Sequence, residues 1–154
     1  TDLSKESLFN ILNNTFEFSD ISFLDLFSGS GSISFEFASR GCKKITSVDI
    51  NHNAIKFIKS ISNQLELGLN CVKSDTIRFI KNSEQNFDII FADPPYDYNI
   101  NMYEELIVNI YENNILKNNG KIVIEHSKKN TLVNIINYKK TREYGGCCFS
   151  FFYL

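Results

Sequence analysis

A carboxylate, two prolines and an aromatic ring follow the apolar run 87–92 in the stretch Asp93-Pro94-Pro95-Tyr96. The run predicts a buried strand, and each proline holds its own φ at about −65° and has no N–H to donate. The strand would therefore end in a rigid turn that presents a carboxylate, free backbone carbonyls and a flat aromatic face. Such groups can bind a planar molecule that carries an amino group. The alternative is a strand end closed by two prolines, with the ring of Tyr96 packed inside.

A second set of candidate residues surrounds Gly29 and Gly31, which follow the apolar run 22–27. Glycine allows a tight bend and lets a ligand approach the main chain closely. Asp49 lies about 20 residues further on, the offset at which an acid accepts hydrogen bonds from ribose hydroxyls. The third glycine of the dinucleotide-binding pattern is replaced by Ser34, which disfavours a pyrophosphate held against the helix. We therefore expect a ligand that carries a ribose.

Two more aspartates indicate the charge of that ligand. Asp25 precedes the glycine turn, where a carboxylate would repel a phosphate but would suit a cationic amine or sulfonium. Asp75 follows a predicted strand and can accept a hydrogen bond from an adenine amino group, although each aspartate can instead cap a helix. Together they favour S-adenosylmethionine over NAD. The candidate cofactor-binding residues are Asp25, Phe27, Ser28, Gly29, Ser30, Gly31, Asp49, Ile50, Asp75 and Thr76, and the candidate catalytic residues are Asp93, Pro94, Pro95 and Tyr96.

Strands that alternate with helices would hold these residues at one edge of a sheet. Strands are predicted at 22–27, 44–48, 69–72, 87–92 and 121–125, and helices at 1–14, 32–41, 51–68, 76–81, 103–111 and 132–136. Asn119-Gly120 predicts a turn before the fifth strand, and Gly145-Gly146 predicts a closing hairpin. The pattern is typical of an α/β, Rossmann-like, mostly parallel seven-stranded sheet with an antiparallel hairpin and helices on both faces. The candidate residues and Glu125 would lie together at the carboxyl ends of its strands.

Composition favours one soluble domain, 1–154. The chain has 154 residues, is 43% hydrophobic and carries a net charge of −2, so no overall basic field indicates nucleic acid. No apolar run is long enough to span a bilayer, and we expect a cytoplasmic monomer. The four cysteines lack the paired spacing of a zinc site, so we expect reduced cysteines and no metal. Lys128-Lys129, after a strand end on the expected active edge, can touch phosphates, whereas we expect a structural role for His126.

The stretch Asp25-Leu26-Phe27-Ser28-Gly29-Ser30-Gly31, the strand end at Asp49 and the Asp93-Pro94-Pro95-Tyr96 turn resemble class I S-adenosylmethionine-dependent methyltransferases that modify exocyclic amino groups. Segment 1–10, TDLSKESLFN, is similar to the T-D-R-V-R-E-x-L-F-N stretch of the bacterial family that methylates guanine N2 in 16S ribosomal RNA. Segment 116–126 is similar to that family's corresponding strand. The resemblance runs essentially from end to end.

This resemblance implies methyl transfer from S-adenosylmethionine to guanine N2, with ribosomal RNA or the small ribosomal subunit as partner. Asp93 and the Pro94 carbonyl would accept the two amine hydrogens, and Tyr96 would stack on the base. Leu3 and Lys5 stand where the family has arginines, and the family's short basic segment ahead of this point is missing, so we expect weak RNA binding. Three alternatives remain at this stage: an adenine-N6 or cytosine-N4 methyltransferase, an NAD-binding oxidoreductase and an inactive RNA-binding fold.

Overall fold

Seven strands form one sheet in the computed structural model, which describes residues 2–154. The sheet order is β3-β2-β1-β4-β5-β7-β6, with β1 to β5 parallel and β7 antiparallel to both of its neighbours. The strands are β1 (Ser22–Leu26), β2 (Lys44–Asp49), β3 (Asn70–Lys73), β4 (Phe87–Ala92), β5 (Leu116–Ser127), β6 (Tyr138–Tyr144) and β7 (Cys147–Phe152). The predicted mostly parallel sheet with a closing hairpin is confirmed.

Five α-helices and one short 3-10 helix, Phe18–Asp20, accompany these strands in the described part of the chain. The α-helices are α1 (Asp2–Asn13), α2 (Ser32–Ser39), α3 (His52–Gln64), α4 (Thr76–Asn82) and α5 (Ile100–Glu112). Thr1, the first residue of the predicted amino-terminal helix, lies outside the described residues. No described helix within residues 2–154 combines the length and the apolarity that crossing a bilayer requires.

The direction of strand addition reverses at β1, which lies between β2 and β4. Leu26 at the end of β1 is in register with Val48 of β2 and with Ala92 of β4. The next residues on β2 and β4 are Asp49 and Asp93, which therefore stand at the same level of the sheet. In an open α/β sheet, a crevice for ligands forms at this reversal, outside the carboxyl ends of the strands.

Separate apolar cores cover the two faces of the sheet. On one face, the ring of Phe37 from α2 stacks on Phe23 of β1 with 3.6 Å between centroids, and Leu8 and Phe9 of α1 are fully buried beside them. On the other face, α4 and α5 bury side chains such as Leu106 against β1, β4 and β5. Helices therefore lie on both faces, as predicted, and their packing holds the strand ends in fixed positions.

Three helices on the ligand-binding side of the fold begin with side-chain caps. Asn51, Asp75 and Asn99 each accept a hydrogen bond from a backbone N–H three residues ahead, at about 3.0 Å. Such a cap satisfies one of the N–H groups that a helix leaves without a partner at its first turn. The predicted cap at Asn51 is confirmed.

Two local predictions are wrong. Residues 132–136 form no helix; Leu132 and Ile135 are buried in successive turns, in which each accepts a hydrogen bond from the N–H three residues ahead. So short a segment gains too few hydrogen bonds to nucleate a helix. Asn119-Gly120 does not separate α5 from the fifth strand but lies within β5, in a bulge where Asn119 has φ 66°.

Candidate active site

A cavity of about 600 Å³ opens at the carboxyl ends of β1, β2, β4 and β5. This volume lies within the range of about 300–1,000 Å³ that is usual for small-molecule sites. Its lining includes eight of the predicted site residues: Phe27, Gly29, Asp49, Ile50, Asp93, Pro94, Pro95 and Tyr96. The glycine turn and the proline turn, separated by more than 60 residues in the sequence, thus face one space.

The glycine turn is tied to the neighbouring strand. Ser28 donates from its N–H and from its hydroxyl to the carbonyl of Val48, at 2.9 and 2.8 Å. Phe27, Gly29 and Gly31 have φ values of 58°, 52° and 81°, in the left-handed region that favours glycine. A Cβ added at Gly29 would contact nothing within 4 Å. The turn therefore leaves open space in front of its backbone.

Asp49 connects the glycine turn to the start of α3. Its Oδ2 accepts from the N–H of Gly29 and its Oδ1 from the N–H of Asn51, both at 2.8 Å. Each carboxylate oxygen can accept a second hydrogen bond. Ile50, the next residue, is 67% exposed and offers an apolar surface beside the carboxylate. A diol and a flat apolar ring can be bound here together.

The proline turn presents unused acceptors. The N–H of Tyr98 donates to the Pro95 carbonyl at 3.0 Å, but no donor within residues 2–154 reaches the Pro94 carbonyl or the Asp93 carboxylate. Tyr96 is 82% exposed, so the alternative in which its ring packs inside does not occur. The turn can accept two hydrogens from an amino group and offer a ring face to a base.

Burial raises the pKa values of three acidic groups that line this cavity. Desolvation raises the pKa of the Asp93 carboxyl to about 6, although the residue stays accessible from the open side. Desolvation, and then the neighbouring Asp93 carboxylate, raise the pKa of Glu125 to about 7. The same two causes raise the pKa of the Tyr103 hydroxyl. Negative charge is disfavoured here, so hydrogen-bond donors and cations are favoured ligands.

Six candidate cofactor-binding residues lie outside the lining of this cavity: Asp25, Ser28, Ser30, Gly31, Asp75 and Thr76. Asp25 is buried below the site, where it accepts a hydrogen bond from Ser34 at 2.6 Å, and burial raises its pKa to about 7. Asp75 is the cap of α4 and accepts from the N–H of Arg78 at 3.0 Å, as the helix-cap alternative predicts, while its bond to an adenine amino group stays a prediction. Thr76 is buried in the first turn of α4.

Sequence reasoning missed the side of the cavity formed by β5 and the hairpin. Residues lining this side are His126, Ser127, Asn130, Gly146 and Cys147, and Tyr103 of α5 lines the cavity as well. A smaller cavity of about 240 Å³ lies alongside, where Ser4 and Lys5 of α1 meet the amino end of α2, and Asp93 and Glu125 line both cavities. Only Glu125, at a strand's carboxyl edge, carried a signal in the sequence. Within residues 2–154, no cluster of three or more His, Cys, Asp or Glu side chains is arranged to hold a metal ion.

Comparisons with known proteins show which family this chain belongs to. The family model described as conserved hypothetical protein 95 matches residues 1–153. Ribosomal RNA small subunit methyltransferase D from Haemophilus influenzae is 33% identical over 154 residues, which cover 92% of this chain and 74% of that protein. The protein of the same name from Buchnera aphidicola subsp. Baizongia pistaciae is 35% identical over 137 residues, or 88% of this chain and 67% of that protein. The chain belongs to the conserved hypothetical protein 95 family.

A solved structure agrees with this membership. A Haemophilus influenzae protein, named as a candidate methylase, superposes with a TM-score of 0.82 at 30% identity and covers 98% of this chain and 96% of its own. The conserved hypothetical protein 95 family is thus a family of Rossmann-like, S-adenosylmethionine-dependent methyltransferases. The site fits that cofactor, because Asp49 has acceptors for a ribose diol, Ile50 is a surface for adenine and the space before Gly29 is open.

Proposed function

We propose that this chain transfers a methyl group from S-adenosylmethionine to the exocyclic N2 of a guanine in 16S ribosomal RNA. One observation carries the proposal: the Asp93–Tyr96 turn and the Gly29–Asp49 pair line the same cavity. A hydrogen-bond acceptor for an amine and a candidate nucleoside site are thereby close enough to serve one reaction.

The proline turn would prepare the amine. An aromatic amine is a poor nucleophile because its lone pair is delocalised into the ring. Asp93 and the Pro94 carbonyl, which have no donor among residues 2–154, would accept the two N2 hydrogens and turn the lone pair out of conjugation. Asp93 would then take up the proton that N2 releases. When bound, S-adenosylmethionine supplies the methyl group on a sulfonium that leaves as a neutral thioether.

The other residues would act through position. Asp49 would hold the ribose and Ile50 the adenine, while Gly29 would let the cofactor approach the backbone. Tyr96 would stack on the target base, which is worth about 1–3 kcal/mol. The base must leave its stack to reach Asp93, so an unpaired or flipped nucleotide is the expected target. Holding the two bound reactants in line can accelerate the reaction as much as an effective reactant concentration of roughly 10⁵–10⁸ M would.

Ribosomal RNA that lacks the modification provides the test. Purified protein, S-adenosylmethionine and either 16S RNA or small subunits should yield N2-methylguanosine in nucleoside mass spectrometry, and Asp93→Asn should abolish the product. If the product is N6-methyladenosine or N4-methylcytidine, the target base is adenine or cytosine and not guanine. No methylated nucleoside from either substrate would refute the proposal.

We further propose that the chain acts as a single domain and a monomer in the cytoplasm, where ribosomes are assembled. Light scattering during size-exclusion chromatography at the concentration used for the methylation assay should give a mass close to 17.7 kDa. Twice that mass would contradict the monomer.

A further inference from the structure

Glu125 is placed beside Asp93 by strand register. Ala92 of β4 pairs with Ile124 of β5, so the next residues, Asp93 and Glu125, are neighbours across two parallel strands. Adjacent strands are about 4.8 Å apart. Both side chains line the large cavity and the smaller one next to it. The two carboxyl groups therefore face one space and can contact one ligand.

Glu125 has no partner of its own in the described part of the chain. No hydrogen bond or ion pair within residues 2–154 involves its carboxyl group, although the residue is half-buried. Burial and the Asp93 carboxylate raise its pKa. A partly desolvated carboxyl group that accepts no hydrogen bond from residues 2–154 is costly, because it has lost contacts with water. A ligand that brings a donor would remove that cost.

Guanine brings two donors side by side. Its Watson–Crick edge carries the N2 amino group and, next to it, the N1–H. Adenine has an unprotonated N1 beside its amino group, and cytosine has an unprotonated N3. Two neighbouring carboxylates therefore match guanine, whereas the second carboxylate would face a lone pair on the other two bases. The pair of acceptors is a means of selecting the base.

We propose that Glu125 accepts the N1–H of the target guanine while Asp93 accepts a hydrogen of N2, so that Glu125 determines which base is methylated. This inference rests on the proposed function and adds the residue that selects its substrate. The carboxylate of Glu125 then stabilises only a base that carries a proton on the ring nitrogen next to its amino group.

A base analogue separates this role from a structural one. Once mass spectrometry has located the methylated guanine, that position is synthesised as guanine or as 2-aminopurine, which keeps the 2-amino group but has no proton on N1. The RNA is assayed alone and in reconstituted small subunits. The wild-type chain should methylate guanine about 5- to 160-fold faster, since a matched hydrogen-bond pair discriminates by about 1–3 kcal/mol.

Glu125→Gln supplies a donor where the wild type has an acceptor. It should slow guanine methylation and lower the ratio of the methylation rate on guanine to that on 2-aminopurine by about 10-fold. The reason is that the amide can donate a hydrogen bond to the unprotonated N1 of 2-aminopurine. Glu112→Gln, at the exposed end of α5, is the matched control and should leave the ratio unchanged. Calorimetry should give the same S-adenosylmethionine affinity for all three proteins.

Other outcomes overturn the inference. Equal slowing on both bases, with an unchanged ratio, would mean that Glu125 only supports the fold. A weaker cofactor affinity with an unchanged ratio would mean that it binds the cofactor. If the wild type methylated no guanine at all, the proposed function itself would fail, and the inference with it. The first two results leave the proposed function intact.

Discussion

The ammonium group of Lys129 lies 3.8 Å from the centroid of the Tyr96 ring, so a cation covers one face of the ring that would hold the target base. An exposed cation–π contact is worth about 0.5–1 kcal/mol, less than the roughly 1–3 kcal/mol of a stacked base. An arriving base can therefore displace the lysine. The displaced ammonium would remain close enough to contact a phosphate of the same nucleotide.

Lys129→Ala should weaken RNA binding and lower the slope of log affinity against log salt by about one charge. Fluorescence anisotropy with a fragment of 16S RNA at several salt concentrations measures both. Lys56→Ala, on the exposed side of α3, is the matched control. Equal slopes for the two variants would show that Lys129 does not reach a phosphate.

Substitutions of Tyr96 test stacking on the base. Tyr96→Ala should raise the KM for RNA by about 5- to 100-fold, the loss of one base–aromatic contact, while Tyr96→Phe should retain most of the affinity. The ring is 82% exposed, so neither change should alter the melting temperature much. Steady-state kinetics with saturating S-adenosylmethionine separates the two variants. Similar losses in both would assign the role of Tyr96 to its hydroxyl group.

Turnover should rise with pH because Asp93 and Glu125, the carboxyl groups that would accept hydrogens from the base, must be ionised. The pKa is raised to about 6 for Asp93 and to about 7 for Glu125, and the charged forms dominate only above these values. We expect kcat/KM to increase between pH 5 and pH 8, and Asp93→Asn to lower it by about 100-fold or more at pH 8. A profile that stays flat across this interval would show that neither carboxyl group controls the reaction.

Asp49→Asn should weaken S-adenosylmethionine binding. The carboxylate holds the N–H groups of Gly29 and Asn51 and has further acceptor positions for a ribose, and a hydrogen bond to a charged group contributes about 1.5–3 kcal/mol. The dissociation constant from calorimetry should therefore rise about 10- to 100-fold. Asp75→Asn, which keeps a good helix cap, is the comparison. An unchanged dissociation constant for Asp49→Asn would show that the ribose assignment of Asp49 is wrong.

Asp25 should make the protein less stable as pH rises. Burial raises its pKa from 3.8 to about 7 in the folded state, so the folded protein binds the proton more tightly than the unfolded chain does. The resulting stability is complete below pH 4 and is lost as pH rises through 7, about 2–3 kcal/mol between pH 5 and pH 8. Urea unfolding at these pH values measures the loss.

Asp25→Asn should show a smaller loss of stability over the same interval, since the amide can still accept the hydrogen bond from Ser34 but does not titrate. Asp93 and Glu125 have raised pKa values in both proteins, and their contributions therefore cancel in the comparison. Identical pH dependence of the two unfolding free energies would mean that Asp25 does not hold a proton in the folded state.

The elements that were predicted well are those whose signals are local. The apolar run before Asp93, the cap at Asn51 and the Gly145-Gly146 hairpin each depend on residues within one or two turns of chain, and each is present as expected. The helix predicted at 132–136 failed because its local signal was too weak. Residues 132–136 have helical spacing but too few residues to gain from it, and only Leu132 and Ile135 among them are buried, by packing in successive turns.

The sequence by itself determined the chemistry of the two turns, because a proline pair after one buried strand restricts the backbone, and a pair of glycines after another allows left-handed conformations that other residues rarely adopt. Only the tertiary structure decided which distant residues share the site. Register between β4 and β5 brings Glu125 beside Asp93, and the pairing of β7 with β5 places the hairpin tip along the cavity. Burial in that assembled cavity raises the pKa of both carboxyl groups, and no pattern along the chain contains that effect, since it depends on what is excluded around each group.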